Sequence, residues 1–334
     1  MTASNPRLPL RGREEQIAAV RTRLLQVRSG VGAVLIVEGR AGLGKTSLLD
    51  ECASIAGGMS FRIGRGAAEP GRSVLGLEAL LDALFEGKDP LLRRGALSDV
   101  HASPEQRFWL LQDIEALIEE AALKAPLLIC LDDLHWAGPA CAVAMRQLPQ
   151  RLAALPVGWL MAFRPNQGLP SVQDAKKRLL EAGAELVRLQ PLERRAISQV
   201  AADILGVEPD EGLLQKAAHV QGNPFFLVEF FRGLQDDHLV AVEAGRATLQ
   251  RDVLPHRVGD SIQDRLARMS AAAQRVATVA SALGRRFSVH EVSGMTGTPP
   301  ADLLEPIREL VQADMLTESE ERLAFVHDLL REAV

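Results

Sequence analysis

The sequence predicts an α/β fold: a mainly parallel sheet with helices on both faces, followed by a small helical domain and a winged-helix-like domain. Three observations carry this. Short apolar strands alternate with helical segments from about residue 33 to residue 189, the pattern of βαβ crossovers. A glycine-rich turn, GRAGLGKT (Gly39–Thr46), joins the first of these strands to the helix that follows. After Pro191 helical periodicity dominates, and near the C-terminus a single β-like patch, Glu321–His327, interrupts it.

Taken in order, Arg11–Val27 reads as an amphipathic helix, with Ile17, Val20, Leu24 and Leu25 near helical spacing. Ala33–Val37 is a short buried strand, Lys45–Ile55 a helix, and Met59–Ile63 a second strand. Gly66–Val74 carries Gly, Pro and Ser and reads as a loop. Ser103, Pro104 and Gln106 form a helix-start signature, and that helix runs to about Leu123. The strand Leu127–Leu131 follows, then a helix over about Ala140–Ala154, the strand Val157–Phe163 and a strand over about Glu185–Leu189. Helices then run to about Asp236, broken at Gln221–Pro224.

A chain of 334 residues predicts two or three domains, set here at 1–190, 191–252 and 253–334. The final HDLLREAV stops within a helical pattern, so the last domain is expected to be truncated and the protein to continue. No apolar run approaches the roughly 20 residues of a membrane helix, and the N-terminus has no secretory apolar core. Three cysteines with no CxxC pair read as reduced and buried. These features predict a cytoplasmic protein with no membrane partner. A net charge of −5 argues against a broad nucleic-acid footprint. From Leu254 to the end there are nine Arg and no Lys against twelve Asp and Glu, a net of −3, where a groove-reading surface needs positive charge.

GRAGLGKT fits the Walker A pattern in full. Consecutive N–H groups of such a loop form a nest for phosphate, and the following helix adds its positive dipole end. Gly39, Gly42 and Gly44 allow backbone angles and approaches that a Cβ would obstruct. Lys45 is expected on the β- and γ-phosphates and Thr46 on Mg²⁺, with Leu43 and Ser47 completing the loop's contacts. LLICLDDLHW (Leu127–Trp136) has the Walker B form, an apolar strand ending in acids. Asp132 would hold Mg²⁺ directly or through its water, and Asp133 would orient or deprotonate an attacking water. Arg164 ends the next strand. If that strand lies beside the Walker B strand, its guanidinium can sense a γ-phosphate; from spacing alone this and an ordinary surface arginine stand level.

The order GRE, GRAGLGKT, LDDLHWA, FRP, QGNPFF and FVHDLLREA resembles the signal-transducing ATPases with numerous domains, the STAND class. It is most similar to the N-terminal module of the large ATP-binding LuxR-type transcriptional regulators, and the resemblance covers nearly the whole chain. It implies that Arg11, Gly12 and Arg13 cradle adenine, largely through backbone, and that Arg164 is the sensor arginine. It implies that Pro224 packs on adenine, in a segment where Asn223 and Pro224 also read as a helix N-cap and first residue. His327 matches a winged-helix histidine on the ADP β-phosphate, and His135 and Trp136 would pack beneath the site. Where relatives carry an acid after HWA, Gly138 stands here. The family's DNA-binding domain and sensor repeats would lie beyond this chain.

The resemblance thus implies an ATP/ADP-binding regulatory switch with Mg²⁺ and slow hydrolysis, an inducer or protein partner, DNA contact only through a further C-terminal domain, and nucleotide-dependent self-association. Hydrolytic AAA+ machines place a lid arginine on the γ-phosphate; QGNPFFLVEFF offers a proline and apolar residues there. The competing readings are an AAA+ loader or remodeller acting on nucleic acid, and a nucleotide-binding scaffold that does not hydrolyse.

Overall fold

The computed structural model describes residues 8–71, 76–93, 104–251, 255–284, 286–319, 322–326 and 328–334. Helix α1 (Glu14–Arg28) buries Val20, Leu24 and Val27, while Leu25 stays exposed. It starts three residues later than the periodicity suggested, because Gly12 sits at φ +66° and ends any helical run there. Strand β1 (Ala33–Glu38) leads through the glycine-rich loop into α2 (Lys45–Gly58). Then come β2 (Arg62–Ala67), α3 (Glu78–Phe85), α4 (Pro104–Ala122) and β3 (Leu127–Asp132). A 3₁₀ turn, Leu134–Trp136, precedes α5 (Pro139–Arg151), β4 (Val157–Phe163), α6 (Pro170–Glu181) and β5 (Glu185–Arg188).

These five strands form one parallel sheet in the order β2-β3-β4-β1-β5. β3 and β4 read as unbroken apolar runs because helices cover both faces, and all of β4 is buried. Register pairs Glu38 with Phe163 and Leu131 with Met161, so β1, β3 and β4 end at one edge. β4 lies between the other two, which meets the condition set for Arg164.

β2 begins three residues after the predicted Met59 and includes Gly66, which had been assigned to a loop. The glycines there serve packing rather than turning. A Cβ on Gly64 would fall 2.1 Å from Ala83 O, and one on Gly66 1.8 Å from Ala79 O, so α3 can lie against β2 only where the strand has no side chain. Ser103, proposed as a helix cap, lies outside the described residues. All three cysteines are buried, and burial pushes their thiols up to about 12.

Residues 191–334 form a second compact unit, which also takes in the N-terminal segment up to Gly12 and the loop tip Ala41–Leu43. Its elements are α7 (Arg194–Leu205), α8 (Glu211–Ala217), α9 (Pro224–Asp236), a hairpin of β6 (Val240–Glu243) and β7 (Arg246–Leu249), and α10 (His256–Ala267). There follow α11 (Ala271–Leu283), β8 (Arg286–Phe287), α12 (Val289–Thr296), α13 (Pro300–Gln312), β9 (Leu316–Ser319), β10 (Arg322–Phe325) and α14 (Asp328–Ala333). β8, β10 and β9 pair antiparallel in that spatial order, and with α11–α13 they give the winged-helix-like arrangement. One continuous core joins Phe226, Phe230 and Phe231 of α9 to Ile262 of α10, Ala277 of α11 and Phe287 of β8. The predicted 252/253 division falls inside this single unit. Among the described residues no helix is long and apolar enough to cross a membrane.

Candidate functional site

The edge where β1, β3 and β4 end gathers Lys45, Thr46, Asp132, Asp133 and Arg164. α2 opens at Lys45, and its N-cap Gly44 sits at φ +88°, with Gly42 at φ +77°. Left-handed turns of this kind suit a nest of N–H groups, here at the positive end of a 14-residue helix. Lys45 is buried, and its Nζ donates to Gly39 O at 3.0 Å and Arg40 O at 3.2 Å. Thr46 and Ser47 are exposed, and Leu43 is buried.

Thr46 Oγ1 donates to Asp132 Oδ2 at 2.5 Å, and Asp133 N donates to Asp132 Oδ1 at 2.8 Å. A hydroxyl beside a carboxylate at a phosphate-binding loop suits Mg²⁺, a hard cation that takes one or two protein oxygens and keeps its waters. Among the described residues no group of three or more His, Cys, Asp or Glu could cage a metal. The residues present therefore fit both a phosphate chain and Mg²⁺.

Asp133 is a non-glycine residue at φ +48°, N-cap of the 3₁₀ turn. This sparsely populated conformation turns its carboxylate away from the strand direction. Burial, and then repulsion from Asp132, raise its pKa, while Lys45 and Arg164 oppose the shift. His135 is buried, with Nδ1 3.7 Å from Asp133 Oδ1. Burial, Arg164 and Lys45 push its pKa down to about 3, so the ring is neutral. The same two cations acting on both residues put Arg164 and Lys45 in one electrostatic environment with Asp133. Gly168, at φ +101°, backs the histidine: a Cβ there would lie 2.9 Å from His135 O. Trp136 does not pack beneath the site as expected; it is 38% exposed, its ring tilted 5.0 Å from that of His135.

In the second unit, Arg11 makes a two-pronged ion pair with Asp203, at 2.8 and 2.9 Å. A Cβ on Gly12 would meet Ala196 Cβ at 2.6 Å, so this close approach requires glycine. Arg13, in the sheet unit, is buried, and burial lowers its pKa. Asn223 caps α9 by accepting from Phe225 N at 3.1 Å, with Pro224 in the first turn. Its Nδ2 also donates to Ala41 O at 3.1 Å, and Phe225 N reaches Gly42 O at 3.1 Å. Ala41 N donates to Asp314 Oδ2 at 2.8 Å. His327 lies outside the described residues.

Sequence reasoning missed Asp314 and the second role of Asn223, since nothing local marks a contact across so many residues. It named His135 only as part of a motif, although a histidine two residues after a strand-ending acid is a local signal.

Residues 9–160 match the family model described as an AAA ATPase domain. Three solved structures share the fold across nearly the whole chain. The ORC2 protein of Aeropyrum pernix, solved as ADPNP–ADP complexes, is 14% identical with a TM-score of 0.59, covering 99% of this chain and 95% of its own. The ORC1 protein of Aeropyrum pernix, in complex with DNA, is 13% identical with a TM-score of 0.57, covering 99% and 94%. The Walker-type ATPase PABY2304 of Pyrococcus abyssi is 15% identical with a TM-score of 0.56, covering 98% of each chain. No curated protein matches the chain in sequence. The sheet unit has the P-loop NTPase fold, and residues 9–160 are similar to AAA ATPase domains.

Proposed function

We propose that this chain is an ATP- and ADP-binding regulatory switch with slow ATP hydrolysis. The observation that carries the reading is the Thr46–Asp132 hydrogen bond beside the buried Lys45 ammonium, at the mouth of a glycine-shaped loop. Lys45 and the N–H groups of Gly42–Thr46 would bind the β- and γ-phosphates. Thr46 and Asp132 would hold Mg²⁺, which when bound neutralises phosphate charge. Asp133 orients or deprotonates the attacking water, and Arg164 reads the γ-phosphate from the neighbouring strand end.

The switch reading adds the second unit. In this reading Arg11–Arg13 and Pro224 enclose adenine and His327 meets the ADP β-phosphate, so that ADP favours one arrangement of domains 1–190, 191–252 and 253–334 and ATP another. The motif order supports a place in a LuxR-type transcriptional regulator, with DNA bound by a separate C-terminal domain, an inducer or protein partner, and nucleotide-dependent self-association.

A second reading, a nucleic-acid loader or remodeller, is favoured by the likeness in fold to the ORC proteins over nearly the full chain. The net −3 of the C-terminal segment weighs against it. Turnover of Mg-ATP with and without duplex DNA decides. The switch reading expects slow turnover that DNA leaves unchanged; strong stimulation by DNA supports the loader, and no turnover at all supports a non-hydrolysing scaffold.

A further inference from the structure

His135 holds a buried polar ring with no hydrogen-bond partner on either nitrogen among the described residues. Its side chain is 1% exposed. Buried polar groups are nearly always paired, and one that is not calls for an explanation, of which a catalytic role is one. The neighbouring Asp133 carboxylate is the only acidic group within ion-pairing distance among the described residues, at 3.7 Å from Nδ1. That is somewhat longer than a hydrogen bond, and a small movement of either side chain closes it.

The backbone holds this pair together. Asp133 at φ +48° is the N-cap of the 3₁₀ turn that carries His135, and the two side chains approach to 3.7 Å. Gly168 lies against the His135 backbone, where a Cβ would fall 2.9 Å from His135 O. Burial and the cations Lys45 and Arg164 keep the imidazole neutral, so it offers one N–H donor and one lone pair.

We propose that His135 is a positioning residue: its Nδ1–H donates to Asp133 Oδ1 and fixes the carboxylate that acts on the attacking water. The inference rests on the ATPase reading of this site and adds a residue to it. His135 touches neither phosphate nor water in this account; it acts through Asp133.

The test uses the full chain, with His135→Phe, which keeps the ring and removes the donor, and His135→Asn, whose amide nitrogen can stand where Nδ1 stands. Two readouts are taken. The first is steady-state turnover of Mg-ATP alongside nucleotide affinity. The expected result is a fall in kcat on the order of tenfold to a hundredfold in His135→Phe with affinity little changed, largely restored in His135→Asn, and no further fall when His135→Phe is added to Asp133→Asn. The second is the ¹⁵N spectrum of labelled histidines, which reads the tautomer without any turnover. An Nδ1–H tautomer whose resonance moves in Asp133→Asn is expected. An Nε2–H tautomer, a wild-type kcat in His135→Phe, or failure of His135→Asn to rescue overturns the proposal. If the wild type turns over no ATP, the ATPase reading fails and this role with it, whereas wild-type turnover that His135→Phe leaves intact sinks the positioning role alone. Should His135→Phe not fold, His135→Asn and the tautomer decide.

Discussion

Thr46 Oγ1 lies 2.5 Å from Asp132 Oδ2, joining the glycine-rich loop to the end of β3 across 86 residues of chain. The two oxygens would supply part of an octahedral hard-cation site once the hydrogen bond between them opens, with phosphate and water to supply the rest. Asp132→Asn keeps the shape and removes the charge. Calorimetry is expected to show that nucleotide binding by wild type weakens when Mg²⁺ is chelated, and that Asp132→Asn loses most of this Mg²⁺ dependence. Full Mg²⁺ dependence in Asp132→Asn would remove Asp132 from the site.

Asp133 is separated from Asp132 by one residue step but by a different task. A group that orients water acts mainly on the transition state, so its loss lowers kcat more than it weakens binding. Asp133→Asn is expected to bind ATP nearly as wild type and to hydrolyse it on the order of a hundredfold more slowly. Equal turnover in the two proteins would exclude Asp133 from the mechanism.

Much of the sheet unit was legible because its signals are local. The loop glycines, the apolar strands and the strand-ending acids each lie within a dozen residues. What escaped was set by contacts distant in sequence. Gly66 reads as a breaker until α3 is seen lying on it, and Asn223 reads only as a cap until its bond to Ala41 is seen. The β6–β7 hairpin was missed although Ala244 and Gly245, both at positive φ, form the left-handed pair such a tight turn needs. Helices α3 and α6 were missed because short helices flanked by loops offer few periods to count.

Gly66 gives a direct check of the α3–β2 packing. Its added Cβ would sit 1.8 Å from Ala79 O, a backbone atom that cannot rotate away. Gly66→Ala is expected to lower stability by about 3 kcal/mol, the upper part of the usual range for overpacking. An unchanged denaturation midpoint would show that α3 does not approach β2 so closely.

His135 predicts an acid-side weakness. Its folded pKa is depressed to about 3 from an ordinary 6.5, so below 6.5 the unfolded chain takes a proton that the folded chain refuses. This stability is therefore full above pH 6.5 and is lost as pH falls toward 3, by about 1.4 kcal/mol per unit within that window. His135→Asn, which does not titrate, should flatten that part of the stability–pH curve. Identical slopes for the two proteins would mean that His135 charges freely in the folded state.

A nucleotide that selects between two arrangements of the chain must bind them unequally, since a ligand that binds both states equally shifts nothing. Equilibrium affinities for ADP and Mg-ATP, measured with small-angle scattering of each complex, test it most directly, with Lys45→Ala as the control that abolishes tight binding. ADP is expected to bind more tightly than ATP, and the ADP complex to have the smaller radius of gyration. Equal affinities and superimposable scattering curves for the two complexes would contradict it.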